Sequence, residues 1–210
     1  NVDADKYLLA EIKENKTEAN YLVQYSSAKN LRDKLDVLEY FSDQKKKSAQ
    51  AKNVFRQALS DKFWYVQETA LKLLNPDEMN GSDLAIVANL AETGSKTSVQ
   101  SEAILLLGES KKKQYESVFE NGLNSKSYLV NAASLNAMSN VNPKRSLEVA
   151  QQWENIDNFQ IVDEVGYVYS QEGDKTKASY YQKSVTNSKE IYKKYYGIYH
   201  YSKFLGRMDN

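Results

Sequence analysis

The chain has 210 residues, with 28 Lys plus Arg against 28 Asp plus Glu, a single His and no Cys. Zero formal charge argues against a nucleic-acid binder, whose affinity rests on neutralising phosphates. Without Cys there are no thiol nucleophiles, thiolate metal sites or disulfides, and no apolar run approaches the ~20 residues that span a bilayer.

A chain this long buries roughly 70% of its unfolded surface and needs no cross-link to hold a core. Two Pro and eight Gly favour long helices over a hairpin-rich sheet. No signal peptide is evident. The start Asn1-Val2-Asp3, without Met, reads as a fragment or processed product.

In chain order, residues 1–15 come first. Lys6-Tyr7-Leu8-Leu9-Ala10-Glu11-Ile12 can alternate as a strand or form one helical turn. We read 1–15 as a short extended segment left over from a preceding β domain, and 16–210 as one helical-repeat domain. Asn15-Lys16-Thr17-Glu18 reads as a helix start.

From Thr17 onward apolar residues recur at helical spacing. The stripes are Leu31, Leu35, Leu38; Ala51, Val54, Phe55, Ala58, Leu59; Val66, Ala70, Leu71, Leu74; and Leu84, Val87, Ala88, Ala91. Three more follow: Val99, Ala103, Ile104, Leu107; Tyr115, Val118, Phe119, Gly122; and Val130, Ala133, Ala137, Met138. Asn80-Gly81-Ser82, Thr93-Gly94-Ser95, Asn121-Gly122 and Asn142-Pro143 read as the turns between them.

The stripes align with one another. Val66, Val99 and Val130 are equivalent, at offsets of 33 and 31 residues, and Leu31 sits 35 before Val66. A period in the thirties with two helices per unit is the signature of a helical solenoid. The expected fold is all-α: a right-handed α-α superhelix of HEAT/armadillo type. The alternative is an irregular bundle of unrelated amphipathic pairs. Near the C-terminus, Val165-Gly166-Tyr167-Val168-Tyr169, Gly173-Asp174 and Lys177-Ala178-Ser179-Tyr180-Tyr181 resemble one tetratricopeptide unit. There a small residue and an aromatic lock two helices, and a Gly turns the chain. The last helix, near Ser188 to Leu205, is rich in Tyr (Tyr192, Tyr195, Tyr196, Tyr199, Tyr201) and reads as the cap of the stack.

Chemistry is sparse in this pattern. His200 lies on the capping helix, where a structural role outweighs a catalytic one. One His cannot supply the paired ligands of a zinc protease. Gly81, Gly94 and Gly108 are isolated turn or helix-end residues, not a phosphate loop. No catalytic, cofactor-binding or metal-ligating residue is assigned. Lys45-Lys46-Lys47, Lys111-Lys112-Lys113 and Lys144-Arg145 are placed at the end of a first helix, in the turn inside a repeat. There they either form a basic strip or, as we favour, simply offset helix C-termini.

The most specific stretch is the beginning. Val2-Asp3-Ala4-Asp5-Lys6-Tyr7-Leu8-Leu9-Ala10-Glu11-Ile12-Lys13-Glu14-Asn15-Lys16-Thr17, then Tyr21-Leu22-Val23-Gln24-Tyr25 and Leu31-Arg32-Asp33-Lys34, resemble a junction in M1-family zinc aminopeptidases of Bacteroidetes type. At that junction a small β-sandwich domain gives way to a C-terminal HEAT-like helical domain. The resemblance implies a non-catalytic domain that walls the active-site chamber and restricts entry to peptide N-termini. Its partners would be the catalytic and β-sandwich domains of the same polypeptide and, indirectly, the peptide substrate. It implies no cofactor in this segment, zinc being held by the catalytic domain. No nucleic acid and no membrane span are expected. The compartment implied is the periplasm or envelope of a Gram-negative bacterium, otherwise the cytoplasm. The alternative is a free-standing HEAT- or tetratricopeptide-type interaction scaffold. An enzyme carried on the scaffold is the least favoured reading.

Overall fold

The computed structural model describes residues 16–209. The extended segment expected at 1–15, and with it most of the junction motif, lies outside the described residues. Among the described residues the secondary structure is twelve α-helices and three short 3-10 turns, with no strand. The chain is all-α, as the periodicity predicts. None of these helices is long and apolar enough to cross a membrane. The chain divides into two compact units, Asn1–Leu74 and Asn75–Asn210.

The first unit holds α1 (Glu18–Ser27), α2 (Leu31–Ser42), α3 (Ala49–Leu59) and α4 (Trp64–Leu73). Each helix start is legible except the last. Thr17 and Asn20 form a reciprocal capping box before α1, Asn30 caps α2 and Ser48 caps α3, each satisfying amides that a helix start leaves unpaired. Helix α1 pairs with α2, α3 with α4, and α2 with α4. The apolar stripe of α3 is buried throughout, and it meets a core that includes Tyr21, Tyr25, Val37, Leu38, Phe41, Val66 and Leu71. Burying side chains of this size stabilises by about 1.5–3 kcal/mol each before entropy is charged against it.

The second unit repeats the hairpin four times. Its helices are α5 (Gly81–Thr93), α6 (Thr97–Glu109), α7 (Glu116–Leu123), α8 (Tyr128–Val141), α9 (Pro143–Trp153), α10 (Phe159–Glu172), α11 (Ala178–Thr186) and α12 (Ile191–Met208). The odd-numbered helix of each pair packs on its even-numbered successor. The even helices also pack on one another in order, α6 on α8, α8 on α10 and α10 on α12. They form an inner layer, with the odd helices laid outside it. Helix α8 is the most enclosed, with Val130, Asn131, Ala132, Ala133, Ser134, Leu135, Ala137, Met138, Ser139 and Val141 all buried.

The aligned valines carry a structural repeat. Val66, Val99 and Val130 are each the third residue of their helix, α4, α6 and α8, and each is buried. The residue after each one is an amide. Gln67 Nε2 donates to the Asp61 carbonyl at 2.9 Å, Gln100 Nε2 to the Gly94 carbonyl at 3.1 Å, and Asn131 Nδ2 to the Ser125 carbonyl at 3.1 Å. In every case the acceptor lies six residues back, in the turn inside the hairpin. Asn131 Nδ2 also lies 2.9 Å from the Gly122 carbonyl and 3.0 Å from that of Leu123. The residues before these helices, Phe63, Lys96 and Ser127, make no side-chain cap. The amide instead ties the new helix to carbonyls that the tight turn leaves over. At α10 this device is replaced: Asn158 caps the helix, accepting from the amides of Gln160 and Ile161.

Several expectations are corrected. Leu31 is not the counterpart of Val66, because it opens its helix and is only half-buried. Leu74 lies beyond the end of α4 and Ala88 is half-buried. Asn121-Gly122, expected as a turn, lies in the last turn of α7, and Gly108 is a helix-end residue as expected, next to last in α6. A Cβ on Gly108 would fall 2.6 Å from Ala137 Cα, and one on Gly122 would fall 2.0 Å from Ser134 Oγ. These glycines let α6 and α7 press against α8, a packing need that single-residue turn statistics do not reveal. The lysine triplets also move. Lys45–Lys47 join α2 to α3 and Lys111–Lys113 join α6 to α7, so both lie between hairpins rather than inside them. Lys144-Arg145 opens α9, the end of a helix where cations are least favoured.

Two substitutions test this account. Asn131→Asp sets a buried carboxylate against three carbonyls and is expected to cost at least about 3 kcal/mol near neutral pH in chemical denaturation. Lys111 has φ of 53°, the left-handed region that a non-glycine residue enters at a cost, and its side chain is exposed. Lys111→Gly should therefore raise Tm by about 2 °C in calorimetry.

Candidate functional site

The lone histidine is buried, 3% exposed, where α12 crosses α10. His200 Nε2 lies 2.6 Å from Asp163 Oδ1. Its Nδ1 is buried without a hydrogen-bond partner. A carboxylate oxygen can only accept, so the Nε2–H donates to Asp163. Gly166 makes the approach possible, since a Cβ there would fall 2.8 Å from His200 Cδ2. The rings of Tyr167, Tyr196 and Tyr199 surround the imidazole at 6.4, 6.3 and 4.9 Å between centroids. Beside Asp163, Glu164 accepts from Asn136 Nδ2 of α8 at 3.1 Å. Burial pushes the Glu164 carboxyl up to about 7; the Asn136 hydrogen bond opposes this and the neighbouring Asp163 adds to it. One polar seam thus crosses three inner helices, α8, α10 and α12.

A second set of polar groups gathers around α11. Tyr169, buried in α10, donates its hydroxyl to Glu154, and the Lys177 ammonium lies 3.4 Å from the same carboxylate and 4.6 Å from the Tyr169 ring centroid. Tyr181 donates to the Gly166 carbonyl at 2.6 Å, so an aromatic from α11 does fasten onto the small residue of α10, and Gly173 ends that helix. Burial is the main reason the Tyr169 and Tyr181 hydroxyls are held far above their ordinary range. Asp157 accepts from Tyr192 and pairs with Lys193 at 2.8 Å. The Lys193 hydrogen bond and then that of Tyr192 hold its carboxyl below the usual range. Next to these lies an open cleft of about 290 Å³, whose lining includes Glu154, Tyr180, Lys183, Ser184 and Lys193. Neither Glu154 nor Asp157 stands out in the sequence, because partners 15 and 35 residues away leave no local mark.

The basic clusters differ from one another in surroundings. Lys47 is 8% exposed, its ammonium 5.9 Å from the centre of the Phe55 ring. Lys111, Lys112 and Lys113 are exposed. Arg145 is spent on Glu120 at 2.7 Å and Glu148 at 3.4 Å. Within the second unit, then, the expected strip consists of one exposed triplet, an exposed Lys144 and an Arg145 held by two glutamates.

The last helix carries an exposed apolar face. Ile191, Tyr195, Ile198 and Leu205 are 84%, 63%, 59% and 41% exposed, and with exposed Ser202 they recur at alternating four- and three-residue steps. Gly197, His200 and Phe204 form the buried face of the same helix. A cap should be polar outside, and this one is not. The spacing is visible in the sequence, but the abundance of Tyr all round the helix hides which face is covered.

The raised Glu164 carboxyl makes a signed prediction. Its ordinary value is 4.5 and its folded value about 7. The folded state therefore keeps its proton while the unfolded state loses it, and stability falls as pH rises from about 4.5 to about 7. Glu164→Gln, which can still accept from Asn136, should flatten that decline. At pH 8 it should gain about 1–2 kcal/mol over the parent in urea unfolding, a figure below the full shift because the residue is half-buried.

A search among curated proteins finds no match to this chain. A family profile described as "Family of unknown function (DUF5724)" matches residues 3–204. That span takes in both compact units and reaches into α12, and the chain belongs to this family.

Proposed function

We propose that the chain is a HEAT-like helical-repeat domain that performs no reaction of its own and works by presenting a surface. The observation that carries the reading is the shared device of α4, α6 and α8, a buried third-position valine followed by an amide tied six residues back. Selection for a repeated way of setting one hairpin after the next suits a surface built by repetition. In the setting that the start of the sequence resembles, this surface would be the C-terminal wall of an M1-family aminopeptidase chamber. It would limit access to free peptide N-termini by steric exclusion, with zinc held in a separate catalytic domain.

A second reading is a helical-repeat interaction scaffold. The exposed apolar stripe of α12 favours it, because such a face on a soluble surface marks an association site.

The two settings separate on one comparison. On the aminopeptidase reading, the isolated chain releases no amino acid from peptides and retains no stoichiometric zinc, while removing it from the parent enzyme shifts the preferred substrate length. A parent with the same length profile before and after removal would refute chamber gating. A coding sequence that lacks a His-Glu-x-x-His segment upstream would refute the aminopeptidase setting altogether.

A further inference from the structure

We propose that the outward face of α12 is a docking site for an amphipathic helix of a partner protein, one whose apolar seam is flanked by acidic residues. Three observations lead there. First, Ile191, Tyr195, Ile198, Ser202 and Leu205 fall at the four-three spacing of a helix-packing seam, and the four apolar members are 41–84% exposed. Second, this face continues an interface the fold already uses. Among the described residues, α8 lies between α6 and α10, and α10 between α8 and α12, while α12 has an inner-layer neighbour on one side only. A helix apolar on both sides is the composition of a helix enclosed on both sides.

Third, the charge carried along the body of α12 has one sign, carboxylates standing only at its caps, Glu190 and Asp209. Between Ile191 and Met208 there are Lys193, Lys194, Lys203 and Arg207 and no Asp or Glu. Lys193 is paired with Asp157, and Arg207 donates to the carbonyls of Tyr169, Ser170 and Gly173 at the end of α10. Lys194, exposed, borders the seam on one side. Lys203 borders it on the other, folded over Tyr199 with its ammonium 2.7 Å from the hydroxyl and 4.2 Å from the ring centre. A helix laid in this seam would bring its own flanking positions against these two lysines, so carboxylates there are attracted and ammonium groups repelled. The same argument disfavours a second copy of α12, which would set lysine against lysine.

The inference rests on the chain being a surface-presenting repeat and not on the aminopeptidase setting. The test uses the whole chain and two synthetic helical peptides of about three to four heptads. Both have Ile and Leu along the seam; one is flanked by Glu and the other by Lys. Fluorescence anisotropy should show the Glu-flanked peptide binding at least about tenfold tighter than the Lys-flanked one. Ile198→Glu should weaken it by at least about tenfold. The double change Lys194→Glu with Lys203→Glu should reverse the preference between the peptides. Circular dichroism checks that these exposed substitutions leave the helices intact.

Equal binding of both peptides, or binding indifferent to Ile198→Glu, would overturn the proposal. So would binding to phosphatidylglycerol vesicles with neither peptide bound, which assigns the face to a lipid surface. A dimer of the chain that Ile198→Glu disperses, with neither peptide bound, would overturn it in favour of self-association. All of these leave the surface-presenting reading standing. That reading fails separately if the isolated chain turns over a substrate.

Discussion

Burial of the even-numbered helices is the constraint on which the second unit rests. Helix α8 is pressed by α6, α7, α9 and α10 at once, so its positions are chosen for size and for hydrogen-bond closure together. Small residues appear wherever a neighbour must come close, as Ala137 meets Gly108 and Ser134 meets Gly122. Two of the polar groups that this crowding buries are answered locally, while the Ser134 hydroxyl, pressed against Gly122, has no hydrogen-bond partner. Asn131 serves the carbonyls of the turn before it, and Ser139 donates to the Asn136 carbonyl at 2.7 Å. An apolar side chain at position 131 would fill the space and strand the carbonyls. A larger residue at 108 would satisfy propensity and force α6 away from α8.

The same logic explains why polar residues thread the inner layer near its end. From α8 to α12 the seam of Asn136, Glu164, Asp163 and His200 runs across packed helices. Each member has a partner on the next helix, so the register of α10 against α8 and of α12 against α10 is specified by hydrogen bonds as well as by shape. The cost is visible in Glu164, whose carboxyl is held up to about 7 by its surroundings. The Tyr-rich composition has a related origin. Tyr169, Tyr180 and Tyr181 fill the space under α11 with large rings and still find acceptors in Glu154, Val162 and Gly166, which Phe could not use.

Much of this was readable before any coordinates. The stripes of α3, α6, α7 and α8 are buried as the spacing predicts, because a 3.6-residue period ties sequence position directly to helix face. The equivalence of Val66, Val99 and Val130 was legible for the same reason. Glycine was misread as a turn at Gly122, and the packing role of Gly108 at its helix end went unseen, because a turn and a close helix crossing ask for the same residue. The connectors holding the lysine triplets were assigned inside repeats, since sequence gives the order of helices but not which neighbour each one prefers. The candidate site was less legible. Asp163 meets His200 across 37 residues, and Tyr192 meets Asp157 across 35; no local pattern encodes either pair. The outer face of α12 was present in the spacing, yet only the packing of Gly197, His200 and Phe204 reveals which of its apolar sides is left open.

The layered connectivity of the second unit also has a mechanical consequence. In such an array each hairpin leans mainly on its immediate neighbours, and among the described residues α12 packs chiefly on α10 and α11, with Asp157 before α10 as a further anchor, while α8 is gripped from four directions. Tension applied at the C-terminal end would therefore peel the unit in order, the α11–α12 hairpin first and the α7–α8 hairpin late. A force–extension trace would read as a ladder of small steps in place of one abrupt rupture.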